Sequence, residues 1–413
     1  MRTLIINTYA GSLLLGANAI PDARIIGSYE DSGFGAKVTR ANRDKFKALE
    51  PDFEFVDFIK QWPDQDLTDV HILAHPPCAA FSNQNRSAAK RGTETEAFEC
   101  TRKVLKYGMS NNAASISVES VMGALTGAWD VYDHMAEAGG YHVYRILQNA
   151  ILFGVPQYRE RCWHVLVRKG TTPETMIWRL QPKMTTIGAT VDSLLPGTPF
   201  EDEAERLEKY VRKLGVGCIC GADHGISRED VHAVALSHLM GHKRLGFGVR
   251  LAPFFPGVDP KSICRSHVSR FTSGQPSVLA ESSWAPVLLG TSFWIYRGRP
   301  LPQEAYKAIM GFPTDYVFPP DTHYGVRTFL SKGVCPPVAT WILDNVRMHF
   351  GEASASPFTA AGGYAKTVQP GHIASFRPGR NVLLDKLEIM DQYGMPEDDE
   401  LIDLRDEEEG LEA

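Results

Sequence analysis

The sequence lacks several features that would mark a membrane or secreted protein. No apolar run approaches membrane-spanning length, and the N-terminus enters a strand-like run at Thr3–Ile6 without a signal-peptide pattern. Its seven cysteines are too few and too irregularly spaced to suggest a disulfide framework. We therefore expect a cytoplasmic protein with no membrane partner, and 413 residues are enough for two domains.

The chain also lacks a net positive charge, because acidic residues are concentrated at one end. Residues 397–413 hold ten acidic side chains and a single arginine, a net charge of −9. Taking this from the net charge of −6 for the whole chain leaves +3 for residues 1–396. Blocks of like charge are usually solvated and disordered, which favours a solubilising tail. The alternative is a tail that competes with a polyanionic ligand of the mildly basic body.

Strand-like and helix-like segments alternate along residues 1–170. Helical patterns at Thr93–Tyr107 and Ala128–Ala138 lie between strand-like runs. The predicted strands are Leu4–Asn7, Arg24–Tyr29, Phe53–Phe58, Val70–Ala74, Ile116–Glu119, His142–Leu147 and Trp163–Arg168. Such alternation predicts an α/β fold built on a doubly wound parallel sheet, whose ligands bind beyond the carboxyl ends of the strands.

The pattern changes at about residue 171. Regular alternation fades up to about residue 295, and glycine, proline, histidine and basic residues become frequent. The basic residues Lys243, Arg244 and Arg250 are interleaved with glycines and an aromatic residue, which suits a loop-rich surface that contacts phosphates and base edges. A solvated basic face is an equally good interpretation of this segment.

Helix-like segments return near the end of the chain. They cover Gln303–Met310 and Val338–Phe350, and they suggest that residues 296–350 belong with residues 1–170 in one domain. Residues 351–413 are rich in small and acidic residues, and we expect a weakly ordered extension there.

A cysteine follows two prolines directly after one of the predicted strands. Proline fixes φ and keeps the preceding residue out of a helix, so Pro76-Pro77 forms a stiff turn that holds Cys78 beyond the strand end. A thiol at that edge of the sheet can serve as a nucleophile. A lone cysteine is more often a small buried apolar residue, so the interpretation depends on the rest of the chain.

Further motifs follow in order along the chain. Glu119 ends an apolar strand, and Arg159 and Arg161, two apart in an extended segment, can project to the same side and donate to a carbonyl or phosphate. Taken separately, each could be an exposed charge or half of an ion pair, and Pro336-Pro337 could be a plain helix-start turn. The remaining motifs are Arg299–Glu304, Gly311–Pro313 and Gly333–Ala339.

In this order the motifs resemble those of the DNA (cytosine-5)-methyltransferase family, from about residue 3 to about residue 348. Each motif is weak alone, but their ordered joint occurrence is a strong signal. The matching elements are Pro-Pro-Cys-x-x-Phe-Ser at 76–82, Glu-x-Val at 119–121, Gln-x-Arg-x-Arg at 157–161 and Gly-Phe-Pro at 311–313. The resemblance implies a Rossmann-like, S-adenosyl-L-methionine-dependent methyltransferase domain, with a smaller loop-rich target-recognition domain at 171–295.

The resemblance also implies a role for each residue of the base chemistry. Cys78 would add as a thiolate to carbon 6 of a cytosine, which makes carbon 5 nucleophilic towards the methyl group of S-adenosylmethionine. Glu119 would bond ring nitrogen 3, Arg161 the exocyclic oxygen, and Arg159 would steady Cys78 and the developing charge. The cytosine must first be flipped out of double-stranded DNA. The expected DNA contacts are Ser82, Gln157, Lys243, Arg244 and Arg250.

The match on the cofactor side is looser. Tyr9-Ala10-Gly11 stands where the family has Phe-x-Gly, and Glu30 follows the second strand, where an acid can bind ribose hydroxyls. Asp57 and Phe58 follow the third strand, where they would meet the adenine. Pro77 is the remaining expected contact of the cofactor.

The chain departs from the family pattern at several supporting positions. Asn7 replaces Asp, His75 replaces Gly, and Ser120 and Val334 each replace Asn. Leu13-Leu14 replace a Gly-Gly pair, and we expect them to narrow or reshape the first loop, where glycines allow close approach of the cofactor. These departures leave two alternatives open. One is the same chemistry with a different donor or pyrimidine, and the other is a DNA-binding relative with little catalysis.

Neither a metal nor a stable protein partner is predicted. A structural zinc in the insert is the less favoured interpretation, because the spacing of the ligand-like residues is not that of a standard knuckle. Those residues are Cys218, Cys220, His224, Cys264 and His267. We expect a monomer that acts on double-stranded DNA, and any cognate restriction nuclease would act separately.

Overall fold

The computed structural model describes residues 1–195 most fully. The described residues are 1–30, 33–57, 62–82, 91–171, 176–195, 276–278, 284–285, 287–288, 293–296, 299–319, 323–353, 356–359, 364–368 and 373–375. The basic stretch at 243–250 and the acidic tail at 397–413 lie outside these residues.

Eight strands form one central sheet. Seven of them come from residues 2–168, and the eighth adds at one edge from the C-terminal region. In chain order the strands are β1 (Arg2–Ile6), β2 (Arg24–Glu30), β3 (Leu49–Asp57), β4 (Val70–Ala74), β5 (Ser115–Ser120), β6 (Tyr141–Asn149) and β7 (Glu160–Arg168). The edge strand, Ile373–Ser375, pairs in parallel with β6. The order across the sheet is edge strand, β6, β7, β5, β4, β1, β2 and β3.

The first five strands run parallel, whereas β7 runs antiparallel to both of its neighbours. A parallel return needs a crossover, usually a helix. The segment between β6 and β7 contains only the short 3₁₀ helix Ala150–Leu152, so the chain turns back beside β6. This reversal brings the start of β7, with Arg161, next to the carboxyl end of β5.

Helices cover both faces of the sheet. They are α1 (Ser12–Asn18), α2 (Gly33–Ala41), α3 (Glu96–Ser110), α4 (Ala124–Gly127), α5 (Trp129–Gly139), α6 (Ile187–Val191), α7 (Gln303–Ile309), α8 (His323–Lys332) and α9 (Pro336–His349). The start of α3 is fixed by Thr95, whose side chain accepts from the backbone N–H of Phe98, and by Glu96 and Glu99 in the first turn. Two prolines begin α9, where a missing N–H costs nothing.

Alternate residues of the strands serve two separate cores. Leu73 of β4 packs in the core that includes α1 and α9, whereas its neighbours Ile72 and Ala74 pack in the core that includes α3 and α5. A strand buried on both faces reads as a continuous apolar run, which is the pattern of Val70–Ala74.

Among the described residues, two small sheets lie outside the central one. Met176–Leu180 pairs antiparallel with Tyr364–Val368, so a strand from the C-terminal region packs beside the segment that follows β7. Pro276–Val278, Phe293–Tyr296 and Arg299–Pro300 form a three-stranded sheet. The boundaries of the four predicted segments, including the loop-rich domain at 171–295, stay predictions.

The predicted doubly wound α/β class is confirmed, with one change in strand direction. Every predicted strand of the first 170 residues is a strand of the sheet, and the four predicted helices are α3, α5, α7 and α9. The sheet is mixed rather than wholly parallel, because the sequence pattern of β7 does not reveal its direction.

Candidate active site

The register of the sheet places three motifs side by side at the carboxyl ends of the strands. Ala74 of β4 pairs with Ile6 of β1 on one side and with Val118 of β5 on the other. The next residues along β4 and β5 are therefore His75 and Glu119, on adjacent strands. Pairing of Ser120 with Cys162 brings the start of β7 to the same edge.

The turn after β4 holds Cys78 in a partly buried position. The backbone N–H of His75 donates to the carbonyl of Ile6 over 3.0 Å, which ties the turn to β1. Pro77 is exposed, and Cys78 leads into the 3₁₀ helix Ala79–Phe81. Burial raises the pKa of the Cys78 thiol, the charge of Glu119 adds to the rise, and Arg161 and Arg159 oppose it. The free protein therefore holds this thiol protonated at neutral pH.

Glu119 is a buried carboxylate between two nitrogen-bearing side chains. Its side chain is 1% exposed, Oε1 lies 3.3 Å from Nε of Arg161, and Oε2 lies 3.2 Å from Nε2 of His75. These are ion-pair distances, but within the described part of the chain neither oxygen has a hydrogen bond of acceptable geometry. A buried carboxylate without hydrogen bonds is costly, so its lone pairs are available to a ligand that supplies donors.

The two arginines of the Gln-x-Arg-x-Arg motif have different surroundings. Arg161 faces Glu119 and also donates from Nη1 to the backbone carbonyl of Glu160 over 2.6 Å. Arg159 is buried, and its Nη2 donates to the carbonyls of Ser331 and Gly333 over 3.0 and 2.7 Å. Burial lowers the pKa of Arg159 to about 10, with the neighbouring charge of Arg161 acting in the same direction. Arg159 therefore anchors the loop between α8 and α9 to the site.

The predicted DNA contacts within the described residues are Ser82 and Gln157. Ser82 ends the short helix after Cys78 and is partly buried, at the rim of the turn. Gln157 is buried, and within the described residues its side-chain amide has no hydrogen-bond partner. Contact of Gln157 with DNA would therefore need the segment around it to open, and its role stays a prediction.

The loop after β1 has a backbone shape suited to a small polar ligand. Tyr9 and Gly11 adopt positive φ values of 54° and 77°, and Ala10 between them is buried. The carboxylate of Glu30 accepts from the backbone N–H groups of Thr8 and Tyr9 over 3.2 and 3.4 Å. Glu30 therefore shapes this loop directly, in addition to any role that it has with ribose hydroxyls.

Sequence reasoning missed Tyr316, which lies against this loop. A Cβ at Gly11 would overlap with the Tyr316 hydroxyl, so only glycine fits there. The hydroxyl is buried, and no hydrogen-bond partner for it exists among the described residues. Burial raises the pKa of Tyr316, and the charge of Glu30 adds to the rise. An orphaned hydroxyl near an acid and a glycine loop fits a polar cofactor at this place.

The leucine pair does not have the effect that we expected. Leu13 and Leu14 are fully buried in α1 and belong to the core that contains α9. The backbone N–H of Leu13 donates to Thr8 Oγ1, and that of Val334 donates to Ser12 Oγ. The two side chains fill the core rather than the loop, so they give no reason to infer a different methyl donor.

Other departures are accommodated by local contacts. Asn7 has a φ of 55°, a conformation that asparagine tolerates, and its Nδ2 donates to Cys100 Sγ. The Ser120 carbonyl lies 3.6 Å from the sulfur of Cys162. His75 has the most direct consequence, since it touches Glu119. Its position directly after an apolar strand was the only sequence signal for that contact.

Several predicted site residues cannot be placed. The backbone of Asp57 ends β3, but its side chain and all of Phe58 lie outside the described residues. The same holds for the basic residues Lys243, Arg244 and Arg250 and for the ligand-like residues Cys218, Cys220, His224, Cys264 and His267. Among the residues that are described, no cluster of side chains suitable for a metal was found. Nor does any described helix combine the length and apolarity needed to cross a membrane.

Comparison with known proteins agrees with the fold and the motifs. Residues 9–213 match the family model for C-5 cytosine-specific DNA methylases. No curated protein sequence matches the chain. Among solved structures, a prophage-encoded DNA modification methyltransferase of E. coli aligns with a TM-score of 0.52 at 16% identity, covering 85% of this chain and all of the other.

A second solved structure supports the same fold. The Entamoeba histolytica methyltransferase EhMeth aligns with a TM-score of 0.50 at 11% identity, over 85% of this chain and 99% of that one. At these identities the alignments establish the fold alone, a Rossmann-like methyltransferase sheet. The family match, on that fold, identifies residues 9–213 as a C-5 cytosine-specific DNA methylase domain.

Proposed function

We propose that the chain is a DNA cytosine-5 methyltransferase that uses Cys78 as its nucleophile. The observation that carries the proposal is the Glu119 carboxylate, which is 1% exposed and lies between Arg161 and His75. The negative charge of Glu119 raises the pKa of the Cys78 thiol. The pocket therefore combines a nucleophile, a carboxylate and a guanidinium, which match carbon 6, nitrogen 3 and the exocyclic oxygen of cytosine.

The charges of the site support nucleophile activation on substrate binding. In the free protein, Glu119 raises the pKa of Cys78. When Glu119 takes up the proton of the Cys78 thiol and shares it with ring nitrogen 3, its negative charge near the sulfur is neutralised, and Arg161 and Arg159 then favour the thiolate. The Cys78 sulfur adds to carbon 6, and its electron pair enters the ring towards carbon 5. Loss of the carbon-5 proton and departure of the sulfur regenerate Cys78 after methylation.

The burial of Glu119 supports base flipping. A base stacked within a duplex cannot reach a carboxylate that is 1% exposed. Extrusion of the cytosine would bring its Watson–Crick edge against Glu119 and Arg161. We also infer that Ser82, on the short helix after Cys78, contacts the flipped nucleotide or its neighbours.

We infer that S-adenosylmethionine occupies the region beside β1 and supplies the methyl group. Tyr9, Ala10, Gly11 and Glu30 would hold it, together with Asp57, Phe58 and Pro77. The orphaned Tyr316 hydroxyl supports this assignment, because a bound polar ligand would give it a partner. A methyl donor of a different kind is not favoured, since Leu13 and Leu14 lie in the core.

Covalent trapping tests the nucleophile. The protein is incubated with S-adenosylmethionine and a pool of mixed-sequence duplexes that carry 5-fluorocytosine, which blocks loss of the carbon-5 substituent. We expect a denaturation-resistant adduct on the Cys78 peptide by mass spectrometry, and 5-methylcytosine as product on ordinary DNA. Cys78→Ala should form no adduct, whereas the matched control Cys100→Ala, on α3, should still form it. No adduct with the unaltered protein would overturn the proposal.

We also infer the substrate and the partners of the protein. A double-stranded DNA substrate follows from the family, and a monomer with a separately acting nuclease remains the expectation from the sequence. The relative in E. coli is described as a DNA modification methyltransferase, which is compatible with a restriction-modification role for this chain.

A further inference from the structure

We propose that His75 is a positioning residue for Glu119, which couples the Cys78 turn to the carboxylate that contacts the base. This inference rests on the proposed function, because it assigns His75 a part in the same reaction. The contact between His75 and Glu119, on which the inference is based, is independent of the motif match, because His75 stands where the family pattern has glycine.

The register of the sheet fixes the contact between His75 and Glu119. Ala74 and Val118 are register partners on adjacent parallel strands, so the next residues, His75 just beyond β4 and Glu119 within β5, lie side by side. Nε2 of His75 lies 3.2 Å from Oε2 of Glu119, and the two side chains are 9% and 1% exposed. A glycine at position 75 would leave Oε2 without this neighbour.

The protonation state of His75 allows its imidazole to donate a hydrogen bond to the Glu119 carboxylate. Burial lowers the pKa of His75, the charges of Arg159 and Arg161 act in the same direction, and Glu119 opposes them. The imidazole is therefore neutral at pH 7 and carries one N–H. With the proton on Nε2, the imidazole has its donor atom 3.2 Å from Oε2, while Nε of Arg161 lies 3.3 Å from Oε1. Neither contact has hydrogen-bond geometry in the free protein, and base binding closes the His75 contact into a hydrogen bond.

His75 also belongs to the turn that carries the nucleophile. Its backbone N–H donates to the carbonyl of Ile6 over 3.0 Å, and two prolines separate it from Cys78. Because prolines restrict the backbone of this segment, the imidazole and the thiol move as one unit. A displacement of the turn on base binding would therefore reach Glu119 through His75.

A double-mutant cycle tests this coupling through the rate of single-turnover methyl transfer. His75→Gly should slow transfer about 10- to 100-fold, the effect expected for a lost hydrogen bond to a charged group. In the Glu119→Gln background the same substitution should cost less than about threefold, because the carboxylate that His75 positions is gone. His75→Gln, which keeps an N–H donor of similar reach, should recover most of the rate. Affinity for DNA should change less than about twofold in the two variants that alter His75 alone.

The same single-turnover assay includes a control variant, and two of its outcomes would contradict the inference. His71→Gln removes another buried imidazole of β4, which bonds Ser115 rather than Glu119, and its transfer rate should match that of the unaltered protein. Equal costs of His75→Gly with and without Glu119 would overturn the inference. Equal slowing by glycine and glutamine would do so as well. An unaltered protein that transfers no methyl group would instead refute the proposed function.

Discussion

At the scale of single residues, the most consequential property is the protonation state of Cys78. Catalysis needs a thiolate, yet burial and the charge of Glu119 raise the pKa of this thiol. The site therefore does not hold a permanently activated cysteine. In the proposed mechanism the thiol becomes reactive only when the negative charge of Glu119 is neutralised, and its protonation before then protects it from alkylation and oxidation.

This property predicts the pH dependence of alkylation in the free protein. The thiolate fraction of Cys78 should still be rising at about pH 9, so its rate of reaction with iodoacetamide should increase without a plateau up to that pH. The rate is followed by mass spectrometry of the Cys78 peptide. The buried Cys335 provides an internal control, and it should stay unmodified while the protein is folded. A plateau below about pH 8 would show that the thiolate is already stabilised without substrate.

The residue scale also shows what sequence could and could not reveal about the site. Cys78, Glu119 and Arg161 could be nominated because each follows or begins an apolar strand in a recognisable motif. The proximity of Cys78 and Glu119 then follows from the parallel arrangement of β4 and β5, whereas that of Arg161 depends on the antiparallel direction of β7. The contact of His75 with Glu119 needed the register Ala74–Val118, which no local pattern provides. Arg159 was expected to steady Cys78, but its direct hydrogen bonds go to carbonyls more than 170 residues away.

At the scale of elements, the loop between β1 and α1 depends on a side chain from the opposite end of the chain. Tyr316 packs against Gly11 so closely that a Cβ has no room. Sequence reasoning suggested that Leu13 and Leu14 would control this loop. They do not, because they are one helical turn further on and face the core.

Paired glycine substitutions test this arrangement. Gly11 and Gly140 have nearly the same φ, 77° and 76°, but a Cβ at Gly140 meets open space. Gly140→Ala should cost about 1 kcal/mol of unfolding free energy from backbone strain, and Gly11→Ala about 1–3 kcal/mol more from the overlap with Tyr316. Urea denaturation measures both values. Equal losses would show that Tyr316 does not confine the loop.

A second substitution separates the overlap from the strain. Tyr316→Phe removes a buried hydroxyl that has no hydrogen-bond partner among the described residues, so alone it should leave stability unchanged or slightly raised. Combined with Gly11→Ala it should recover part of the lost free energy. Full additivity of the two changes would place the cost of Gly11→Ala elsewhere.

At the scale of the whole molecule, buried histidines govern the response to acid. Burial lowers the pKa of His71 and that of His164 to about 3, far below the value of an exposed imidazole. His164 stacks on Tyr132 between β7 and α5, and neither of its ring nitrogens has a hydrogen-bond partner within the described part of the chain. The unfolded chain binds these protons at a higher pH than the folded protein does, so acid favours unfolding.

Stability should therefore fall as the pH drops below the unfolded pKa of histidine. Between about pH 6.5 and pH 4, each of these two residues should contribute a loss of about 1.4 kcal/mol of unfolding free energy per pH unit. Above about pH 7 their contribution is constant. Urea denaturation at a series of pH values measures the slope. His164→Phe keeps the stacking but removes one titrating group, so its slope should be smaller by that amount, and an unchanged slope would contradict the assignment.

The positions of the strands in the sequence were more predictable than the direction of β7 and the pairing at the edge of the sheet. Alternating apolar runs with polar ends predicted every strand from β1 to β7, since strands buried on both faces leave a clear signal. The strand direction of β7 and the added edge strand at Ile373–Ser375 were not predictable. They depend on a short connection and on pairing across more than 200 residues.

The packing of α1 against α9 has a consequence for how the protein is made. A Cβ at Gly16 would lie 2.6 Å from that of Ala339, and Thr340 Oγ1 donates to the Gly16 carbonyl over 2.9 Å. The apolar face of α1, which is synthesised first, is therefore covered only after α9 has been synthesised. Partial chains that end before α8 contain Cys78 and Glu119 but lack both the Ser331 and Gly333 carbonyls that hold Arg159 and the helix α9 that covers α1. The packing of α1 and the contacts of Arg159 are therefore complete only after synthesis has passed His349.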